Sequence, residues 1–244
     1  MRVDNRSYWE AEAGDYDSLY ITPWCRREDD RITSWLPRLS LPDSPTVLDI
    51  GCGTGLFLRQ LAAANIKSRY FGVDISRNMI ANFHSDDAPA ISIQVAVADA
   101  ADYRWPDPSP PNLIASMYSP LSFCPERWAV ISRFAALQLP GDKLFITLLN
   151  RYSLRRLLRG QLSASGDFNS RRSRQRSTVE VFFEHARHVR SAVVNAGYRV
   201  IFLGGDGPLS GVLEVSPLWR ANDWLGKAGP ALSHTIILIA EKVA

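Results

Sequence analysis

The sequence predicts an α/β fold built on a doubly wound, mostly parallel sheet. Three observations predict it. Apolar runs of strand length alternate with segments whose apolar residues recur at helical spacing, the first strand breaks into a glycine-rich loop at Gly51, and an acidic residue, Asp74, closes the second strand. With 244 residues, the chain is long enough for one such domain with insertions and short for two full ones.

The elements follow in order. From Arg26 to Leu36, charged residues are interleaved with Ile32, Trp35 and Leu36 at helical spacing, and Pro37 ends that leading helix. Thr46 to Ile50 is a compact apolar run that stops at Gly51, and Leu56 to Ala64 resumes at helical spacing through Leu58, Leu61 and Ala62: strand, glycine loop, helix. A strand at Tyr70 to Val73 then leads to a helix from Ser76 to Phe83, and a strand at Ile91 to Val97 leads to a short helical turn. The proline cluster from Pro106 to Pro111 is a loop into a fourth strand, Leu113 to Met117. Arg127 to Leu139 reads as a helix closed by Pro140 and Gly141, and Lys143 to Leu149 as the fifth strand. Beyond an arginine-rich stretch, Thr178 to Phe183 alternates β-formers, and Glu184 to Ala196 forms a helix ending at Gly197. Strands at Tyr198 to Leu203 and His234 to Glu241 complete the pattern.

Composition excludes several classes. An apolar content of 46% is far from the signature of a disordered chain. A net charge of +3 is too small to imply a whole-protein field attracting nucleic acid or anionic lipid. Cys25, Cys52 and Cys124 are odd in number, widely spaced and without a Cys-x-x-Cys pair, which fits reduced thiols rather than disulfides or a zinc site. Residues 1–20 hold no apolar leader, and the longest apolar runs, such as Ile236 to Ala240, are strand-sized, so a cytoplasmic chain with no membrane partner is expected.

The chemistry concentrates in Val47-Leu-Asp-Ile-Gly-Cys-Gly-Thr-Gly55 and Gly72-Val-Asp-Ile-Ser76. Glycines suit a strand that turns sharply into a helix while its backbone approaches a ligand closely. Asp74, 19 positions after Gly55, falls where a carboxylate can accept from both hydroxyls of a ribose. The nicotinamide fingerprint G-x-G-x-x-G is broken, because the third glycine comes one residue early at Gly55 and Leu56 takes its place. Asp49, just before the loop, suits a cationic ligand, since a carboxylate there can accept from an ammonium group. Cys52 and Thr54 permit close packing within the loop.

In this order and spacing the two motifs resemble those of class I S-adenosylmethionine-dependent methyltransferases of the small-molecule type. The resemblance runs from about Tyr8 to the C-terminus. It implies a Rossmann-like sheet of seven strands with an antiparallel last strand, S-adenosyl-L-methionine as cofactor and a single domain over residues 1–244. A segment at 1–40 would cover the cofactor, and an arginine-rich insertion at 151–183 would act as a lid. Carried over residue by residue, it implies cofactor contacts at Asp49, Gly51, Cys52, Gly53, Gly55, Asp74, Ile75 and Met79. Asp99 and Ala100 would meet the adenine, Met117 would lie by the methionine portion, and Tyr16, Tyr20 and Arg27 would contribute from the leading segment. Asn112, at the start of the fourth strand, stands where relatives often carry aspartate.

The resemblance implies direct attack of an acceptor nitrogen or oxygen on a sulfonium methyl carbon, which needs alignment and a destination for the acceptor's proton. The candidates for that proton are His185, Tyr118 and Glu184, with His188 one helical turn away. Glu184 reads equally as a carboxylate favouring a helix N-terminus, and His188 as a solvated helix face. No two of the four histidines have the spacing of a zinc-binding helix, so no metal is expected. The tetrad of amino-methyltransferases is absent: Ser109-Pro-Pro-Asn112 precedes the fourth strand and lacks the aromatic fourth letter.

Between Arg151 and Arg176 stand eight arginines, no lysine and one acid, Asp167. Arg151, Arg155, Arg156 and Arg159 are spaced as a basic helical stripe, while Arg171, Arg172, Arg174 and Arg176 crowd a loop. They read as a solvated surface or as a lid that recognises an acidic acceptor. Nucleic acid ranks last as a partner, because no aromatic residues are interleaved with the arginines as base-stacking platforms. The leading expectation is methyl transfer to a small-molecule acceptor. Methylation of a macromolecule, a tRNA or a peptide, and a cofactor-binding subunit without turnover stand as alternatives.

Overall fold

The computed structural model describes residues 1–19, 21–169, 177–210, 212 and 216–244. Its helices are α1 (Asn5–Glu12), α2 (Tyr16–Leu19), α3 (Pro23–Trp35), α4 (Leu56–Ala63), α5 (Arg77–Ala81), α6 (Arg127–Ala135), α7 (Leu154–Leu157), α8 (Ala186–Asn195) and α9 (Trp219–Ala228). The strands are β1 (Thr46–Ile50), β2 (Arg69–Asp74), β3 (Ser92–Val97), β4 (Leu113–Ser116), β5 (Lys143–Leu149), β6 (Ser165–Phe168), β7 (Val179–Phe182), β8 (Tyr198–Gly205) and β9 (Thr235–Lys242). Seven of them make one sheet in the order β3-β2-β1-β4-β5-β9-β8, and β6 and β7 pair separately. This is the doubly wound, mostly parallel sheet with an antiparallel last strand that the sequence predicts. Among the described residues, no helix is long and apolar enough to cross a membrane.

The chain divides into two compact units, Met1–Met117 with Asp167–Glu180, and Tyr118–Gly166 with Val181–Ala244. In the first, β1 runs parallel to both β2 and β4, and β2 parallel to β3. Every residue of β1 is buried, as expected of a parallel strand covered on both faces. The core around it includes Leu48, Leu58, Leu61, Tyr70 and Ile114. In the second unit β9 pairs antiparallel with both β5 and β8. There Leu144, Phe145 and Ile146 of β5 and Val189 and Val193 of α8 are buried.

The differences from the sequence reading have local causes. Helix α3 begins three residues before Arg26, because the Thr22 side chain accepts from the Cys25 amide and Pro23 takes the first turn. Helix α6 stops at Ala135, four residues short of Leu139. The turn after β3 is a single one, closed by the Asp102 and Tyr103 amides on the Asp99 carbonyl. The expected stripe from Arg151 to Arg159 is not a continuous helix. The Tyr152 amide donates to the Asn150 side chain, so the chain turns there, and α7 covers only Leu154–Leu157 before Gly160 adopts a left-handed conformation at φ 64°. Within the arginine-rich stretch lies a strand, β6, that sequence periodicity does not signal. Arg171, Arg172, Arg174 and Arg176 fall outside the described residues, as does Tyr20.

Candidate active site

In the first unit the glycine loop follows the carboxyl end of β1. The Gly51 and Cys52 amides both donate to the Val73 carbonyl, at 2.8 and 3.2 Å, which pins the loop to the end of β2. Gly51, Gly53 and Gly55 all have positive φ (74°, 53° and 93°), conformations that L side chains rarely adopt, and Gly55 opens α4. Gly72 is required for space instead: a Cβ there would lie 2.8 Å from Cys52 Sγ and 3.0 Å from Tyr70 Cε1.

Two buried carboxylates flank this loop. Asp74 Oδ2 accepts from the Gly53 amide at 2.9 Å and Oδ1 from the Ser76 amide at 2.8 Å, so the side chain bridges the loop and the start of α5. Asp49, 1% exposed, accepts at 2.5 Å from the Tyr70 hydroxyl. Burial pushes the Asp49 carboxyl up to about 7; the Tyr70 hydrogen bond works against the rise and the Asp74 charge adds to it. Burial also raises Asp74, against the lowering effect of its backbone donors. Cys52 is held well above its ordinary range by burial and by the charges of Asp74 and Asp49.

The leading segment is fastened to this loop by contacts that sequence spacing does not signal. Glu10 caps α5 from outside, its two oxygens accepting from the Arg77 and Asn78 amides at 2.8 and 2.9 Å. Asp17 accepts from the Thr54 hydroxyl at 2.5 Å and faces His84 Nε2 at 2.9 Å and Arg59 at 3.6 Å. Tyr16 stands edge-on to Trp9, and its Cε1 would be 3.8 Å from a Cβ on Gly53, so its ring borders the loop. Arg27 is half-buried in α3, Ile75 half-buried after β2, and Met79 and Met117 are buried. Asp99 accepts from the Ala101 amide at 2.9 Å, and Ala100 sits in the same turn.

In the second unit the candidates for the acceptor's proton divide. Tyr118, half-buried, and Ser119 have consecutive positive φ (65° and 66°), and the Ser119 amide is anchored on the Thr147 hydroxyl at 2.9 Å. Glu184 follows β7 at the carboxyl end of β5, its amide donating to the Leu149 carbonyl at 2.9 Å. It is 2% exposed and accepts from Arg127 Nε at 2.6 Å, Trp128 Nε1 at 3.3 Å and His188 Nδ1 at 2.6 Å. His185 is the N-cap of α8, its Nδ1 accepting from the His188 amide at 3.3 Å. Sequence spacing singles out neither Arg127 nor Trp128, which reach Glu184 from far along the chain.

Two arginines of the 151–159 stretch bind their own surroundings. Arg151 Nε donates to the Leu162 carbonyl at 2.7 Å and Arg156 Nη2 to the Ser163 carbonyl at 3.1 Å, while the Arg156 guanidinium lies 3.4 Å from the centre of the Phe183 ring.

A parallel sheet whose first strand ends in this loop, with an acidic residue closing the second strand, defines a nucleotide-type cofactor site of the Rossmann-like class. Residues 47–141 match the family model described as methyltransferase domain. The ubiquinone biosynthesis O-methyltransferase of Xanthomonas campestris pv. campestris (strain B100) is 29% identical over 116 residues, 47% of this chain and 46% of that protein. The protein of the same name from Hydrogenovibrio crunogenus is 25% identical over 145 residues, 59% of this chain and 56% of its own. The chain thus spans about half the length of these curated relatives. Among solved structures, the CcbJ methyltransferase from Streptomyces caelestis superposes with a TM-score of 0.69 at 14% identity, covering 99% of this chain and 100% of that one. The magnesium protoporphyrin IX methyltransferase from Synechocystis PCC 6803 with bound SAH gives 0.65 at 17% identity, covering 97% of each chain. Residues 47–141 thus resemble a methyltransferase domain, on a fold shared with solved methyltransferases, one of which was determined with the cofactor S-adenosyl-L-methionine bound.

The site fits that group. Asp49 is a buried carboxyl whose described donor is a neutral hydroxyl, an environment in which a cationic ligand favours the ionised form. Each Asp74 oxygen takes one backbone amide and retains accepting capacity for hydroxyls.

Proposed function

We propose that this protein transfers the methyl group of S-adenosyl-L-methionine to a nitrogen or oxygen of a small-molecule metabolite in the cytoplasm. The observation that carries the reading is the pair of buried carboxyls at the glycine loop, with Asp74 tied to the Gly53 and Ser76 amides and Asp49 beside it without a cationic donor among the described contacts. When bound, the cofactor supplies an electrophilic methyl carbon on a sulfonium centre.

In this reading Asp74 accepts from the ribose hydroxyls and Asp49 from the ammonium of the methionine portion, while Gly51, Cys52, Gly53 and Gly55 let the backbone approach. Asp99 and Ala100 meet the adenine, Ile75, Met79 and Met117 supply apolar contact, and Tyr16 and Arg27 exclude water from the leading side. His185, Tyr118 and Glu184 serve the acceptor. The whole chain, 1–244, acts as one methyltransferase, with residues 1–40 covering the cofactor and 151–183 facing an acidic acceptor. Support for a small-molecule acceptor comes from the names of the curated relatives, which concern ubiquinone biosynthesis.

Calorimetric titration with S-adenosyl-L-methionine and, separately, with NAD tests the base of this reading. Binding of the methyl donor alone is expected, and Asp74→Ala should weaken it by about 2 kcal/mol, roughly thirtyfold. Unchanged affinity in that variant refutes the ribose assignment. Methyl transfer that requires an RNA or peptide and collapses with salt would favour the macromolecular alternative.

A further inference from the structure

Within the first unit the leading segment is tied down unevenly. Up to Ala13 it is held by α5 and the residue after it. Glu10 takes the Arg77 and Asn78 amides, the Asn78 side-chain amide donates to the Glu10 carbonyl at 3.0 Å, and that of Asn82 donates to the Ala13 carbonyl at 3.2 Å. Gly14 follows, and then α2. Gly14 is exposed, and a Cβ on it would meet nothing within 4 Å. Its φ is not positive, unlike those of Gly51, Gly53 and Gly55. Neither space nor backbone conformation requires glycine at this point. What the residue supplies, between a fixed helix and the next one, is freedom to turn.

Beyond Gly14, α2 meets the glycine loop with two consecutive residues. The Tyr16 ring borders Gly53, and Asp17 Oδ1 accepts from the Thr54 hydroxyl. Asp17 Oδ2 faces His84 Nε2 at 2.9 Å and Arg59 Nη1 at 3.6 Å, and Arg59 also faces Asp87 at 3.6 Å. His84 completes the ring of contacts, because its own amide donates to the Thr54 carbonyl at 3.1 Å. A carboxylate only accepts, so His84 Nε2 carries a proton toward Asp17 in the neutral ring as in the charged one. The Asp17 side chain is 35% exposed, and those of His84 and Asp87 are half-exposed. Ion pairs this open to water each hold weakly. The contacts of Asp17 therefore form a fastening that can open while α1 stays in place on α5.

We propose that α2 is a strap hinged at Gly14, that Asp17 latches it onto Thr54, and that opening of this latch gates the passage of the cofactor to and from the glycine loop. This rests on the reading above that the loop holds S-adenosyl-L-methionine, and it makes Asp17 a positioning residue that acts through Thr54. With the latch shut, Tyr16 lies beside Gly53 and the loop is clasped between α2 and the turn after α5. With it open, Thr54 loses its acceptor, α2 swings away about Gly14, and the loop faces solvent on that side. Every group in the latch belongs to the protein, so it shuts the free and the loaded chain alike. Weakening it should then speed entry and exit together and leave the equilibrium constant nearly unchanged, whereas a lost ligand contact would weaken affinity mainly through a faster exit.

Amide hydrogen exchange of the full chain, with nothing added, tests the latch alone. Asp17→Ala should speed exchange over residues 15–18 about tenfold, and leave β1 unchanged. Asp17→Asn keeps an acceptor for the Thr54 hydroxyl but no charge for His84 and Arg59, and should speed it about threefold. Unchanged exchange over these residues in both variants overturns the latch. Stopped-flow binding and release of S-adenosyl-L-methionine tests the gate. Both rate constants are expected to rise by those factors, with Kd within about twofold of wild type. Gly14→Ala, for which there is room, should slow both about threefold by removing open conformations. Rate constants equal to wild type in the Asp17 variants overturn the gate, and so does a weaker Kd with an unchanged association rate, which would make Asp17 a ligand contact. A wild-type chain that binds no S-adenosyl-L-methionine overturns the cofactor reading and the gate with it, while exchange separately decides the latch.

Discussion

Replacing Asp49 by asparagine tests whether the buried carboxyl beneath the glycine loop is held ready for a cation. In the unfolded chain this group ionises near 3.8, and in the folded unit it keeps its proton until about 7. Between those values the unfolded state has released a proton that the folded state still holds, so stability declines as pH rises through the window. The decline begins near pH 4 and is complete above pH 7. A displacement of this size corresponds to about 4 kcal/mol. The amide oxygen of the substituted side chain can still accept from the Tyr70 hydroxyl, but the side chain carries no charge, so the variant should lose that dependence. Urea unfolding is therefore expected to show wild type and Asp49→Asn close together at pH 4 and the variant distinctly more stable at pH 8, in the absence of cofactor. Titration with S-adenosyl-L-methionine should run the other way. A cationic ligand favours the ionised carboxyl, so wild-type affinity should rise as pH passes 7, and the variant should bind weakly with that rise absent. Equal pH dependence of unfolding in the two proteins refutes the burial argument, and equal cofactor affinity at pH 8 refutes the role assigned to the charge.

Two other perturbations probe the same unit. Gly72→Ala places a methyl group 2.8 Å from Cys52 Sγ and 3.0 Å from Tyr70 Cε1, and should cost about 1–3 kcal/mol in urea unfolding; a neutral result would mean that the loop can shift away from β2. Glu10→Ala removes the acceptors of the Arg77 and Asn78 amides, a capping loss of about 1 kcal/mol, and amide hydrogen exchange should speed up at those two positions. Unchanged exchange there would show that α1 does not hold the start of α5.

What the sequence makes legible is whatever depends on neighbours in the chain. β1 and β5 agree with the sequence reading to the residue, because each is a continuous apolar run bounded by turn-forming residues, and both prove to be buried along their whole length. Helix α9 escapes that reading for the complementary reason. The residues it buries are Asn222 and Gly226, while Trp224 is 69% exposed, so hydrophobic periodicity marks the wrong face. Gly226 lies against the Gly205 backbone, where a Cβ would come within 2.4 Å of the carbonyl oxygen, a backbone contact to which an apolar pattern is blind. Strand β6 is hidden likewise, since Ser165-Gly-Asp-Phe168 has neither alternation nor β-branched residues, and its strand conformation depends on pairing with β7.

The same distinction separates the two halves of the chemistry. Asp74 reaches the Gly53 amide across 21 residues, but the glycine pattern and the length of one strand–helix–strand unit fix that separation, so spacing alone indicates it. In the second unit, spacing singles out His185 as a base and reads His188, one helical turn away, as a solvated helix face. What separates the two histidines is Arg127, whose contact with Glu184 spans 57 residues and occupies the oxygen that would otherwise be open. With Oε1 taken, Oε2 is left for His188 Nδ1, and the lone pair on that ring moves to Nε2. Which nitrogen of the His188 ring carries the proton, a point that spacing leaves undetermined, thus follows from one buried ion pair.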